Sequence, residues 1–105
     1  MKTLKFAPHL VPLILSGEKT TTWRLFDDKD LQVDDELLFL NKATGTEIAR
    51  ARITEIKEKR LRDVVEEDYV GHERMDEDIV AHYRRYYGDR VQPDSMVKMI
   101  RFETL

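Results

Sequence analysis

The chain has 105 residues, enough for one domain with a modest core and too few for two. It has no cysteine, which rules out disulfides and thiolate metal sites, and it is compatible with a reducing cytoplasm. Charged residues make up 37% of it, yet the net charge is only -3, so a broad basic surface for nucleic acid is not expected. No apolar run is long enough for a membrane span, and the opening Met1-Lys2-Thr3-Leu4-Lys5-Phe6 does not look like a signal peptide. His9, His72 and His82 have no metal-ligand spacing, so no metal and no cofactor are expected.

Leu4-Lys5-Phe6 reads as a first strand, ended by Pro8. His9 to Ser16 reads as a short buried helix with Pro12 in its first turn and Gly17 as its stop. Thr20 to Leu25 is the second strand. Alternation puts Thr20, Thr22 and Arg24 on one face and Thr21, Trp23 and Leu25 on the other. Lys19 falls out of that alternation, but the turn at Gly17 leaves it free to point over the rim. One wall then carries an ammonium, a hydroxyl and a guanidinium. Trp23, opposite that wall, is expected to anchor the core.

Glu36 to Leu40 is a third, largely apolar strand. Ala43-Thr44-Gly45-Thr46 is a hairpin turn into a long, bent strand over Glu47 to Lys57. Lys57 to Arg62 is basic and is expected to be a solvated strand end rather than a binding patch. Leu61 to Tyr69 suggests a helical turn with Val64 and Val65 tucked under it and Glu66-Glu67-Asp68 on the surface. Asp76 to Tyr87 has helical periodicity, an Asp76 cap and Gly88 as its stop; its tyrosines are expected to pack at the core boundary. Met96 to Phe102 is a closing strand. The order β-α-β-β-β-α-β, with short connections, predicts an α+β domain over residues 1–105. Its sheet is mixed or antiparallel and curls toward a small barrel.

Gly17-x-Lys19-x-x-Thr22-x-Arg24 resembles the signature of the ASCH domain, and the element order extends the resemblance over nearly the whole chain. The resemblance implies a PUA-like mixed β-barrel of about five or six strands with two main helices. It also implies a cleft beside the signature that binds RNA or a modified nucleoside. Some small bacterial members of similar size hydrolyse N(4)-acetylcytidine, with a Lys, a Thr and a Glu as the proposed catalytic set. Lys19 and Thr22 match the first two, while the carboxylate falls at His72 or, one residue on, Glu73. The catalytic set so implied is Lys19, Thr22 and Glu73, with Arg24, Thr20 and Arg84 as substrate-binding candidates.

Two readings follow. One is a monomeric RNA- or nucleoside-binding module, in which Lys57, Lys59, Arg60, Arg84 and Arg85 are candidate phosphate contacts. The other is a small amidohydrolase. The acidic net charge favours a small-molecule pocket over a long RNA groove.

Overall fold

Two prolines and a glycine shape the start of the chain. In the computed structural model, which describes residues 1–75 and 77–105, strand β1 spans Lys2–Phe6. A 3-10 turn over Pro8–Leu10 leads into helix α1, Val11–Ser16, with Pro12 in its first turn, where a missing N–H costs nothing. Gly17 closes α1 in the left-handed region at φ 84°. Strand β2 is Thr21–Leu25, β3 is Glu36–Asn41 and β4 is Glu47–Arg60. Helix α2 is Ile79–Tyr87 and β5 is Met96–Thr104. The element order is the one expected. No described helix is long and apolar enough to cross a membrane.

Several boundaries differ from expectation, two of them for a long-range reason. Thr20 lies outside β2, because the N–H groups of Thr20 and Thr21 both donate to the Gly71 carbonyl, at 2.9 and 3.1 Å. Strand β4 runs on to Arg60, because Lys57 to Arg60 pair with β5. The described part of α2 is capped by Asp78, whose carboxylate accepts from Val80 and Ala81; Asp76, the expected cap, lies outside the described residues.

The sheet order is β1-β3-β4-β5-β2. Strands β1 and β3 are parallel and all other pairs antiparallel, so the sheet is mixed. The β4–β5 register shifts between Ile53 and Glu55, an irregularity of the kind that bends a long strand. Strand β4 can then serve β3 with its first half and β5 with the remainder. One core cluster holds Leu4, Phe6, Ile14, Phe39, Ile53 and Phe102; the other holds Trp23, Leu25, Leu61, Tyr83, Val97 and Met99. The result is a half-barrel whose two edge strands are β1 and β2. The curl brings those edges together: Arg24 on β2 donates through Nη2 to the Lys5 carbonyl on β1 at 3.1 Å. The barrel is left open along that seam.

The acidic run Glu66-Glu67-Asp68 is not all surface. Asp68 is buried and accepts from Lys57 Nζ at 2.6 Å, Lys59 Nζ at 2.8 Å and the Val65 N–H at 2.9 Å. The extra reach of β4 delivers both lysines. Val65, expected underneath, is exposed instead. Burial alone would raise the Asp68 pKa, but the two ammonium groups prevail and hold it at about 2. An unfolded carboxylate takes up its proton first, near pH 4, so this stabilisation is present above that pH and lost as pH falls toward 2. Its size is about 2 kcal/mol. Asp68→Asn is therefore expected to lower the urea midpoint at pH 7 and to flatten the acid limb of the stability curve. An unchanged acid limb would contradict this account.

Candidate functional site

The seam between β1 and β2 holds a cleft of about 290 Å³. Its floor comes from the turn after α1 and from β2. The Lys19 N–H donates to the Leu13 carbonyl at 3.0 Å, which fixes the backbone just past the glycine stop. The Lys19 side chain is only 2% exposed, so it points into the cleft rather than over the rim. Thr22 and Arg24, on the same face of β2, line the cleft beside it.

The opposite wall is delivered by Gly71. The two hydrogen bonds from Thr20 and Thr21 to its carbonyl fasten the segment 71–73 against the start of β2. Gly71 has φ 79°, and a Cβ there would lie 2.0 Å from Thr20 Oγ1. Only glycine permits this approach. The fastening places Glu73 Oε2 at 2.6 Å from Lys19 Nζ. Of the two residues on which the motif left the carboxylate open, the one against Lys19 is Glu73. His72 stacks on Trp23 instead, with ring centres 4.1 Å apart and planes 21° apart. Its Nδ1 lies 2.8 Å from the Glu73 carbonyl, so Nδ1 carries the proton.

Burial lowers the Lys19 pKa, the Glu73 carboxylate opposes that, and the charge of Arg24 adds to the lowering. Burial would raise Glu73, but the charges of Lys19 and His72 and the Lys19 hydrogen bond hold it below the ordinary carboxylate range. His72 is pushed down to about 4, first by burial and then by Lys19, so its imidazole is neutral at pH 7. Arg24 is lowered by burial; its guanidinium lies 5.0 Å from the centre of the Phe6 ring, and its buried Nε has no partner among the described residues. The arrangement offers a buried amine in contact with a carboxylate, next to a hydroxyl and a fixed guanidinium. Such a set can move a proton and steady an oxyanion.

No protein-family model matches the chain, and no curated protein sequence matches it significantly. Solved structures do match. An ASCH domain from Lactobacillus crispatus JV V101 gives a TM-score of 0.68 at 20% identity, covering 91% of this chain and 70% of that one. ASCH from Zymomonas mobilis gives 0.69 at 13% identity, covering 96% and 65%. A protein of Enterococcus faecalis V583, described by the family model DUF984, gives 0.73 at 20% identity, covering 92% and 70%. The chain has the ASCH fold.

Within this ASCH fold, Lys19, Thr22, Arg24 and Glu73 share one cleft. Thr20 and Arg84 are not among its lining residues. The Thr20 hydroxyl faces Gly71, and Arg84 Nε donates to the Val91 carbonyl at 2.9 Å, on another side of α2. The expected phosphate contacts are largely committed elsewhere: Lys57 and Lys59 to Asp68, and Arg85 to Glu77 at 3.0 Å. The sequence reading left out the aromatic wall of the ASCH cleft, made by His82, Tyr83, Tyr86 and Tyr87 of α2, and its two lysines Lys5 and Lys42. The i,i+4 spacing of Tyr83 with Tyr87 and of His82 with Tyr86 was the available signal. The tyrosines of that pattern were expected at the core boundary and not in a cleft. Tyr83 is in the core, as is Trp23, but both also border the cleft.

Proposed function

We propose that the chain belongs to the ASCH family and is a small monomeric cytoplasmic amidohydrolase. It would remove an acyl group from the exocyclic amine of a pyrimidine nucleoside such as N(4)-acetylcytidine. The observation that carries this reading is the buried Lys19–Glu73 contact at 2.6 Å on the floor of a cleft that also holds Thr22.

In the resting pair Lys19 is an ammonium and Glu73 a carboxylate. Burial penalises both charges without overturning them in the open cleft, and a bound base that displaces the water around Glu73 favours a proton shift across the contact to a neutral amine and a carboxylic acid. That single shift prepares a base and an acid together. Thr22 Oγ attacks the amide carbonyl while Lys19 Nζ takes its proton. Arg24 steadies the oxyanion. Collapse breaks the C–N bond as Glu73 gives its proton to the leaving amine. Water then cleaves the Thr22 ester, releasing the carboxylic acid and restoring the pair. The exposed Tyr86 ring on the cleft wall supplies apolar contact for a flat base.

The test is cytidine release from N(4)-acetylcytidine. Wild-type protein is expected to turn over, and Thr22→Ala to lose at least about a hundredfold in kcat/KM with its melting temperature near wild type. Retained ligand binding with no turnover in wild type would favour the binding-module reading instead.

A further inference from the structure

The cleft is positive on a chain that is not. Lys5, Lys19, Arg24 and Lys42 line it, against one carboxylate, Glu73. Glu73 is taken by Lys19. Lys5, Arg24 and Lys42 have no carboxylate partner among the described residues. The net charge of the whole chain is -3, so this is a local excess of cations and not the average surface.

The excess is organised around Phe6. Arg24 donates to the Lys5 carbonyl and lies over the Phe6 ring. The Lys42 N–H donates to the Phe6 carbonyl at 2.8 Å, and the Lys42 ammonium stands 5.8 Å from the centre of the Tyr86 ring. A backbone bond therefore holds Lys42 next to Phe6, one position from Lys5, at the β1 side of the cleft. Beyond the cleft, many cations are cancelled, Lys57 and Lys59 by Asp68, Arg85 by Glu77 and Lys98 by Asp27. Those ion pairs interrupt the surface that a strand of phosphates would follow. A single phosphate would find a cluster.

We propose that the cleft is a mononucleotide site. The phosphate of a pyrimidine nucleoside 5′-monophosphate lies against Lys5 and Lys42, and the base reaches the Lys19–Glu73 floor. A dianionic phosphomonoester matches this cluster better than a singly charged diester. The proposal deepens the amidohydrolase reading by naming the substrate as the phosphorylated form, but the phosphate contact does not depend on turnover.

Calorimetry with cytidine, cytidine 5′-monophosphate and a short cytidine oligonucleotide without terminal phosphates tests it. Cytidine 5′-monophosphate is expected to bind at least about tenfold more tightly than cytidine, with a margin that shrinks as salt rises. That margin is expected to fall below about threefold in the Lys5→Ala/Lys42→Ala variant. It is expected to survive in Arg60→Ala, where the lost cation is outside the cleft. Equal affinity for cytidine and its monophosphate overturns the proposal, as does tighter binding of the oligonucleotide than of the mononucleotide. Assays with N(4)-acetylcytidine and its 5′-monophosphate separate the two readings. Monophosphate preference in binding with no deacylation of either compound sinks the amidohydrolase and leaves the anion site standing. Equal deacylation without any binding preference does the reverse.

Discussion

Lys19→Ala is expected to lower kcat/KM for N(4)-acetylcytidine by at least about a thousandfold, because in the proposed mechanism it removes the base that activates Thr22. Lys19→Arg is expected to lose nearly as much. A guanidinium keeps the positive charge beside Glu73 but does not give up a proton near neutral pH. This second variant separates a proton-transfer role from a purely electrostatic one. If Lys19→Arg turned over at a tenth of the wild-type rate or faster, Lys19 would be binding charge and not moving protons.

Stability should respond unequally to the two sides of the same pair. The Lys19 side chain is 2% exposed and that of Glu73 is 32% exposed. Removing Lys19 leaves a carboxylate that water can reach. Glu73→Ala leaves a buried ammonium without its partner, at a cost of about 3 kcal/mol at neutral pH. The cost is expected to shrink as pH rises: burial makes Lys19 in the folded chain shed its proton below the ordinary lysine range, so over that interval the unfolded chain holds more protons. Urea titrations of both variants from pH 7 to 10 read this out. Equal losses for the two variants, with no dependence on pH, would remove the buried ion pair as the organising feature of the site.

Gly71→Ala is the second large effect. The new Cβ would meet Thr20 Oγ1 at 2.0 Å, and the residue would have to hold φ 79°. The contact must open, yet the Thr20 and Thr21 N–H groups depend on the Gly71 carbonyl staying where it is. A loss of about 3 kcal/mol is expected, together with loss of any activity that needs Glu73 beside Lys19. Thr20→Ala in the same chain removes the Oγ1 clash; the next nearest atoms, the Thr20 Cβ at 3.4 Å and N at 3.6 Å, are at ordinary contact distance. The double variant is expected to recover all but the cost of the left-handed backbone, about 1–2 kcal/mol. A single variant as stable as wild type would mean that this junction does not hold the wall of the cleft.

The particular residues show where legibility ended. Lys19, Thr22 and Arg24 lie within six positions, and the strand alternation that groups Thr22 with Arg24 is a property of the local backbone. Glu73 is fifty-four positions from Lys19, and nothing in the spacing distinguished it from His72. Asp68 looked like one more surface acid because its two lysine partners arrive on a strand whose end is set by pairing with β5. Trp23 was assigned to the core from alternation alone; the stacked His72 that links it to the cleft comes from the far segment.

Taken alone, the chain of residues determined the order and type of the elements, because apolar period, proline and glycine act over a few neighbouring positions. It also determined which cation, hydroxyl and guanidinium stand on and beside β2. Tertiary structure decided the rest: that the half-barrel stays open between β1 and β2, that Glu73 meets Lys19 there, and that three cations with no carboxylate partner among the described residues line the same cleft. Each of these joins segments whose approach depends on strand order, register and the passage of one glycine under Thr20. Those are properties of the curled sheet as a whole and have no local signature.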